Sequence, residues 1–370
     1  LYYHVPFCRK RCHFCYFRVY TDKNSNEVGR YLSATLKELQ SYADSPYLAG
    51  RKPKFIYFGG GTPSYLSAKQ LIELTDGMKK IMPWDEAEEV TFECEPGTLS
   101  RKKLEAIKNI GVTRLSLGVE NFSDHILDIN GRAHRSKEVF LSYEIAKELG
   151  FENINVDLIA GMLEETDENW KDCIERVVDL SPDCVTIYQM EVPFNTTIFK
   201  NMKEQGKLSA PVADWPTKRR WVAEAYQRLE EEGYSITSTC TAVKNPDSTK
   251  FVYRDRLWSG ADMVSLGVAS FGHLGGIHYQ NLTHIDQYST AIEAGESTVR
   301  RALMTTDEER FIRELILQWK LGVVRPSYFE EKFGVNLSDR YRDILKQWKD
   351  EGDLVESAEG LSLTREALLR

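Results

Sequence analysis

Hydrophobic and polar positions follow two different periodic patterns along the first 235 residues. Short runs rich in β-branched and aromatic residues predict strands, and longer stretches with an apolar residue every three or four positions predict amphipathic helices. The predicted strands are residues 1–7, 54–58, 89–93, 114–119, 153–159 and 184–189. The predicted helices are residues 29–45, 67–81, 99–109, 136–149, 168–179 and 216–232.

Strands that alternate with helices at this spacing predict βαβ units and an α/β fold built on a parallel sheet. Six repeats are too few for a closed eight-stranded barrel, so we expect a curved, partial (β/α)6 barrel. In sheets of this kind, ligands bind at the carboxyl ends of the strands. Chemically suggestive residues end or follow five of the predicted strands: Cys8, residues 59–63, Glu93, Glu120, Tyr188 and Gln189. Asp157 lies within the remaining strand, 153–159. We therefore expect these residues to come together at one opening of the barrel, at the carboxyl ends of the strands, which we call the mouth.

The pattern changes after residue 235, which predicts a barrel domain at 1–235 and a smaller C-terminal domain at 236–370. Strands are predicted at 234–243, 263–268 and 277–281, and a glycine-rich stretch at 269–276. Helices are predicted at 284–294, 306–319, 325–333 and 338–351, before a β-turn-like tail at 354–363 with Glu359 and Gly360 at its tip. This mixture predicts a helical α+β domain with winged-helix character, and we expect it to cover the substrate opening with Tyr253, Trp258 and residues 271–273.

Composition excludes several classes of protein. Hydrophobic residues make up 42% of the 370 residues, enough for a sizeable core. The net charge of −8 and the lack of a lysine and arginine block argue against a nucleic-acid partner. No apolar run approaches the ~20 residues of a membrane span, and no leader peptide is visible, so we expect a cytoplasmic protein. Because Leu1 opens directly in a strand-like run, we also expect natural residues before it.

The seven cysteines are too few and too unevenly spaced for a disulfide scaffold. Three of them, Cys8, Cys12 and Cys15, crowd into one short segment, and no fourth cysteine lies nearby in sequence. Three thiolates can hold three irons of a [4Fe–4S] cluster and leave one iron open to another ligand. The alternatives are a structural zinc site, for which His13 would be the fourth ligand, and coincidence.

The spacing Cys-x3-Cys-x2-Cys, with Phe14 before the last cysteine, resembles the signature of radical S-adenosylmethionine (SAM) enzymes. Further motifs resemble the oxygen-independent coproporphyrinogen III oxidase family in particular. They are Tyr2-Tyr3-His4-Val5-Pro6-Phe7-Cys8, Gly59-Gly60-Gly61-Thr62-Pro63-Ser64-Tyr65-Leu66, Phe92-Glu93-Cys94-Glu95-Pro96, Leu115-Ser116-Leu117-Gly118-Val119-Glu120 and Asn155-Val156-Asp157-Leu158-Ile159. The resemblance covers essentially the whole chain.

The resemblance implies a [4Fe–4S] cluster on the three cysteines and SAM on the open iron. Such enzymes cleave SAM reductively to methionine and a 5′-deoxyadenosyl radical, while the protein supplies orientation and excludes water. The implied partners are a small-molecule substrate and a reductant such as flavodoxin or ferredoxin. One or two SAM molecules are expected.

The same resemblance assigns roles to single residues. Glu93 is expected to contact SAM, Arg132 to bind its carboxylate and Asp157 to lie near its ribose. Glu120 stands where many relatives carry glutamine. The full set of implied SAM-binding residues is Tyr2, Phe14, Gly60, Gly61, Thr62, Glu93, Glu120, Arg132 and Asp157, and Tyr2 and Glu120 are also the catalytic candidates. The ordinary alternatives are a tight turn for the glycines, ion pairs for the charged residues and core packing for Tyr2 and His4.

Two segments depart from the porphyrin-handling members of the family. Tyr16 and Phe17 replace the glycine and cysteine that follow the cluster in the coproporphyrinogen oxidases. Tyr253–Trp258 replaces the His-Asn-x-x-Tyr-Trp motif of the haem chaperones and keeps only its tryptophan. We therefore expect methylation or alkylation, of the cyclopropane-forming type, of an unsaturated small molecule with a second SAM. The alternatives are tetrapyrrole chemistry, either oxidative decarboxylation of coproporphyrinogen III or haem-ring opening, and haem carriage by a chaperone.

Overall fold

The computed structural model of the protein describes residues 1–357 and 360–369. Its main sheet has nine strands in the spatial order 7-8-6-5-4-3-2-1-9. They are β1 (Tyr2–Val5), β2 (Phe55–Gly60), β3 (Glu89–Cys94), β4 (Arg114–Glu120), β5 (Asn153–Ala160), β6 (Cys184–Gln189), β7 (Ser235–Ser238), β8 (Thr241–Val243) and β9 (Ser265–Leu266). Strands β1 to β6 are parallel neighbours. This confirms the predicted α/β fold with an open barrel of six parallel strands.

Helices connect the parallel strands and cover their outer face. They are α1 (Ser25–Ala43), α2 (Ala68–Ile81), α3 (Arg101–Asn109), α4 (Asp124–Ile129), α5 (Ser136–Glu148), α6 (Asp167–Leu180), α7 (Thr197–Glu204) and α8 (Trp215–Glu231). Polar caps fix several of their first turns. Asn24 and Glu27 form a capping box at α1, and Ser67 and Gln70 form one at α2.

Alternation along the strands separates an apolar outer face from a polar interior. In β4, Leu115, Leu117 and Val119 are fully buried in the large hydrophobic core shared with the helices. The residues between them face the other way, because successive side chains of a strand point to opposite faces. The barrel interior is therefore lined by polar side chains, and the main core lies between sheet and helices.

The segment after residue 235 both extends the main sheet and forms two smaller sheets. Strands β7 and β8 continue the sheet beyond β6 in antiparallel pairing, and β9 adds to the other edge beside β1. The further strands are β10 (Phe271–Leu274), β11 (Ile277–Asn281), β12 (Val299–Met304), β13 (Val323–Val324), β14 (Leu354–Ser357) and β15 (Gly360–Leu363). The further helices are α9 (Val252–Trp258), α10 (Ile285–Glu293), α11 (Asp307–Trp319), α12 (Pro326–Phe333), α13 (Leu337–Arg340), α14 (Arg342–Asp350) and α15 (Arg365–Leu368).

Helices α11 to α14 and the sheet β13-β15-β14 have the winged-helix character expected from the sequence. They have small cores of their own, one around Phe311 and Phe329 and another around Leu345 and Leu354. The boundary at residue 235 itself stays a prediction. Glu359, predicted at the tip of the last turn, lies outside the described residues.

Two predicted elements were wrong in detail. Residues 234–243 form a hairpin rather than one strand, because the Ser238 hydroxyl accepts a hydrogen bond from the Cys240 N–H at 3.3 Å and closes a turn. The helix predicted at 338–351 is interrupted at Tyr341, which separates α13 from α14. In the part of the chain that the structure describes, no helix is both long and apolar enough to cross a bilayer.

Candidate active site

The three clustered cysteines lie on the loop that follows β1, at the carboxyl edge of the sheet. Cys8 is buried, Cys12 and Cys15 are partly buried, and all three are free thiols. Backbone hydrogen bonds fix the loop on both sides. The Cys8 N–H donates to the Tyr20 carbonyl at 3.1 Å, and the His13 N–H donates to the Asn130 carbonyl at 2.9 Å.

Donors from two other segments reach the sulfur atoms. The Thr62 hydroxyl lies 3.3 Å from Cys8 Sγ, and Arg132 Nη1 lies 3.4 Å from Cys12 Sγ. Burial raises the pKa of Cys8 to about 12 and the pKa of Cys15 to about 11. Such thiols keep their protons until a cation replaces them, and the two donors then stabilise the thiolates.

The zinc alternative required His13 as a fourth ligand. The His13 ring instead packs on Gly131, and its Nδ1 lies 2.8 Å from the Ile129 carbonyl. This contact anchors the cysteine loop to the end of α4. Among the described residues, no three His, Cys, Asp or Glu side chains form a site for a single metal ion.

The glycines at the end of β2 and just after it allow their own backbone to lie close to the cysteine loop. Gly60 has φ +112°, a conformation that favours glycine, and an added Cβ there would lie 2.5 Å from the His4 ring. A Cβ on Gly61 would lie 3.0 Å from Cys8 Sγ. The Gly60 N–H also donates to the Glu93 carboxylate at 3.1 Å. Larger residues would therefore close the space between this loop and Cys8.

Three predicted carboxylates meet inside the mouth. Glu93 accepts a hydrogen bond from the Tyr57 hydroxyl at 2.6 Å, and Asp157 accepts one from the Ser116 hydroxyl at 2.7 Å. Burial raises the pKa of Glu93 to about 7, and the charge of Asp157 adds to this shift. Burial likewise raises the pKa of Glu120 to about 7. The mouth thus carries negative charge that a bound cation would stabilise.

Glu120 has an unusual backbone conformation. Its φ of +66° is left-handed, and the pairing of β4 with β5 shifts register between Gly118 and Glu120. Non-glycine residues adopt this conformation rarely, and such outliers cluster at functional sites. The bulge turns the Glu120 carboxylate towards Arg132, with 3.5 Å between Oε1 and Nη1.

Arg132 bridges the carboxylates and the cysteine loop. Besides Cys12 and Glu120, its guanidinium donates to the Gly118 carbonyl. Its Nε is buried without a hydrogen-bond partner in the described structure. A buried arginine N–H usually has an acceptor, so this donor is available to a ligand anion.

The two predicted aromatic residues lie in different surroundings. Tyr2 stacks on Tyr57, with 5.9 Å between the ring centroids, and its hydroxyl lies 3.1 Å from His4 Nδ1. Phe14 packs against a small apolar cluster that includes Ile126 and Met190. Tyr2 therefore joins the carboxylate side of the mouth, and Phe14 lies at its apolar side.

A family model described as the radical SAM superfamily matches residues 2–177. The chain is 31% identical to the heme chaperone HemW of Bacillus subtilis over 377 residues, which cover 100% of this chain and 96% of that protein. The chain belongs to the radical SAM superfamily, in the HemW and oxygen-independent coproporphyrinogen III oxidase family. The Escherichia coli oxidase is 26% identical over 94% of this chain and 77% of its own length. The crystal structure of Escherichia coli HemN matches the fold with a TM-score of 0.84 at 24% identity, over 100% of this chain and 87% of that one.

Membership of the radical SAM superfamily implies a [4Fe–4S] cluster and SAM, and the mouth of this radical SAM enzyme fits both. Three free cysteines share one loop, with donors beside Cys8 and Cys12. The carboxylates and the unpartnered Arg132 Nε suit a ligand that carries both positive charge and a carboxylate, as SAM does. The roles of the single residues and the number of SAM molecules stay predictions.

Sequence reasoning missed a charged network behind the cysteine loop of this radical SAM enzyme. Glu95 pairs with Arg9 at 2.9 Å and lies 3.5 Å from His134 Nδ1. Despite burial, these partners lower the pKa of Glu95 to about 2. The sequence did offer one indication of this network, because Glu95 directly follows β3, as most of the other candidate residues end or follow their strands.

Proposed function

We propose that this radical SAM enzyme acts on a tetrapyrrole, and that haem is its first candidate substrate. The proposal rests on the full-length similarity to a protein named as a heme chaperone and on the similarity to oxidases named for coproporphyrinogen III. Both names refer to tetrapyrroles. The alkylation expected from the sequence has no counterpart in either name, and it stays the alternative.

The rim of the mouth supports a flat, conjugated substrate. Tyr16 and Phe17 on the cysteine loop are 54% and 41% exposed, and Tyr188 at the end of β6 is 49% exposed. Phe194, on the next loop, is 78% exposed, and Asn195 beside it donates to the Tyr16 carbonyl at 2.7 Å. Exposed aromatic faces favour stacking on another conjugated ring.

The chain's own residues would hold SAM beneath such a substrate. Arg132 Nε would donate to the SAM carboxylate, and Glu93 would accept from its ammonium group or ribose. Asp157 would accept from a ribose hydroxyl. Cys8, Cys12 and Cys15 would hold the [4Fe–4S] cluster, which would supply the electron for the reductive cleavage of SAM.

Haem is favoured over coproporphyrinogen III by the residues after the cluster motif. Tyr16 and Phe17 stand where the resemblance places the glycine and cysteine of the oxidases. Catalysis is favoured over carriage because Tyr253 replaces the histidine of the chaperone motif and packs instead on Tyr57, with 4.2 Å between the ring centroids.

Product analysis with methyl-deuterated SAM tests this proposal. The cluster-loaded protein is reduced by dithionite under anaerobic conditions, separately with haem, with coproporphyrinogen III and without substrate. With haem, we expect more 5′-deoxyadenosine than without substrate, and the haem consumed should match this increase. The variant with Cys8, Cys12 and Cys15 replaced by alanine should neither consume haem nor form 5′-deoxyadenosine.

Other outcomes would replace the proposal. Carbon dioxide from coproporphyrinogen III would establish the decarboxylase. Deuterium in 5′-deoxyadenosine together with S-adenosylhomocysteine would establish alkylation. Stoichiometric haem binding without extra 5′-deoxyadenosine would establish a chaperone.

A further inference from the structure

The loop that carries the three clustered cysteines has a positively charged, exposed side. Arg9, Lys10 and Arg11 follow one another between the first two cysteines, in a chain whose net charge is −8. Arg9 pairs with Glu95 at 2.9 Å. Lys10 is exposed and forms no ion pair within the described part of the chain. The charge of Lys10 is therefore open to a partner.

Arg11 also lacks an acidic partner among the residues that the structure describes. Its guanidinium donates to two backbone carbonyls instead, that of Cys15 at 3.1 Å and that of Asn195 at 3.4 Å. Its Nε is buried and has no hydrogen-bond partner in the described structure. These contacts hold Arg11 in place without neutralising its charge.

Helix α7 lies against the same loop and adds another cation. The Ile198 N–H donates to the His13 carbonyl at 3.1 Å, so the first turn of α7 is fixed beside the cysteines. Lys200 ends that turn, is exposed and has no ion pair among the described residues. We call Lys10, Arg11 and Lys200 the basic patch.

The inside of the mouth carries the opposite charge. The carboxyl groups of Glu93, Glu120 and Asp157 lie there and are close enough to raise one another's pKa. A negatively charged macromolecule is therefore attracted to the exposed side of the cysteine loop and repelled by the mouth.

The position of the basic patch favours an electron-transfer protein as the occupant. Cys12 and Cys15 are only partly buried, and Arg11 directly precedes Cys12. Because electron transfer weakens steeply with distance, a donor protein must dock where the cluster ligands are nearest to the surface. Redox partners bury small interfaces, and opposite charges steer them into position.

We propose that the basic patch is the docking surface for an acidic, flavodoxin-type protein that reduces the cluster. The inference rests on the [4Fe–4S] cluster of the proposed function and not on its tetrapyrrole substrate. In the step at this surface, an anionic flavin hydroquinone loses one electron and becomes the neutral semiquinone, while the cluster passes from the 2+ to the 1+ state. No proton moves, and no bond forms or breaks.

Stopped-flow reduction of the cluster-loaded protein by the hydroquinone of an acidic flavodoxin, without substrate, tests the surface. Lys10→Glu and Lys200→Glu should each lower the second-order rate constant about fivefold at ~10 mM ionic strength, and the double variant should lower it more than tenfold. The differences should shrink at ~1 M, because salt screens exposed charges. Calorimetric titration with oxidised flavodoxin should rank the variants in the same order.

Lys346→Glu is the matched control, since Lys346 is exposed on α14 and the change in net charge is the same. It should keep the wild-type rate. Reduced methyl viologen is a small cation that needs no docking surface, and it should reduce all variants at least as fast as the wild type. The iron content should not change.

Wild-type flavodoxin rates in both Lys10→Glu and Lys200→Glu at low ionic strength would overturn the proposal. An equal loss of rate with methyl viologen would also overturn it, because the substitutions would then act on the cluster itself. Unchanged flavodoxin rates together with weaker haem binding would assign the patch to an anionic substrate instead. Haem that is not consumed would refute the tetrapyrrole substrate alone, since this assay contains none.

Discussion

Single side chains at the mouth set the charge that a SAM molecule would meet. Glu93, Glu120 and Asp157 each have a raised pKa caused first by burial. Arg132 is the cation that contacts this group, and it also reaches Cys12. If Arg132 binds SAM as proposed, one residue would connect the binding of SAM with the binding of iron.

Replacing Arg132 should weaken SAM binding more than it changes the fold. Arg132→Ala should cost about 1.5–3 kcal/mol of SAM affinity, the scale of a hydrogen bond to a charged group. Equilibrium binding to cluster-loaded protein measures this, with iron content determined in parallel. Arg135→Ala is the control, because Arg135 is more exposed and pairs with Asp128. Equal affinities in the wild type and Arg132→Ala would show that this arginine does not hold SAM.

Glu93 should make SAM binding depend on pH. Because its pKa is about 7 in the free protein, the carboxylate is protonated below that pH and ionised above it. SAM affinity should increase as the pH rises through this range, and it should fall about tenfold for each pH unit below it. Tyr57→Phe removes a hydrogen bond that lowers this pKa, so the transition should move to higher pH. In Glu93→Gln the pH dependence should become shallower, because only Glu120, whose pKa is also about 7, then titrates in this range. An unchanged pH profile in that variant would contradict the assignment.

At the scale of elements, local pattern predicted the parallel strands well. Their apolar runs are bounded by caps and glycines that the sequence displays. Strand β12 gave no such signal, because all six of its residues are exposed. Strand β9 lies within the strand predicted at 263–268, but its place beside β1, more than 250 positions away in sequence, was not predicted. Pairings of this kind depend on tertiary contacts rather than on local propensity.

Helix α1 carries one buried carboxylate that joins it to the C-terminal segment. Glu38 is 1% exposed and accepts hydrogen bonds from Asn281 Nδ2 at 2.6 Å and the Thr298 hydroxyl at 2.8 Å. It also accepts from the Gly267 N–H at 2.8 Å and the Tyr288 hydroxyl at 2.5 Å. This cluster fixes α1 against β11 and α10.

Glu38→Ala should lower the free energy of unfolding by about 3–5 kcal/mol, because several buried donors lose their acceptor at ~1–3 kcal/mol each. Chemical denaturation followed by circular dichroism measures the change. Lys37→Ala, at the exposed neighbouring position on the same helix, should leave the transition nearly unchanged. Similar transitions in the two variants would mean that the Glu38 cluster does not stabilise the fold.

At the scale of the whole molecule, the open barrel has two ends with different chemistry. The carboxyl ends of the strands bring the cysteines, glycines and acids together. This convergence was predictable because parallel strands end at one edge. The left-handed Glu120 and the contact of Arg132 with Cys12 were not predictable, since they depend on a bulge and on a loop packing across the sheet.

Anaerobic reconstitution with iron and sulfide tests most directly whether Cys8, Cys12 and Cys15 hold a cluster that cleaves SAM. The wild type should bind about four irons and four sulfides per chain and absorb broadly near ~400 nm. With dithionite it should form 5′-deoxyadenosine from SAM. A variant with Cys94, Cys173 and Cys184 replaced by alanine should keep the cluster, while the triple alanine variant of the three loop cysteines should lose both the iron and the product. A wild type that binds one zinc and rejects iron, or a loop-cysteine variant that still cleaves SAM, would contradict this account.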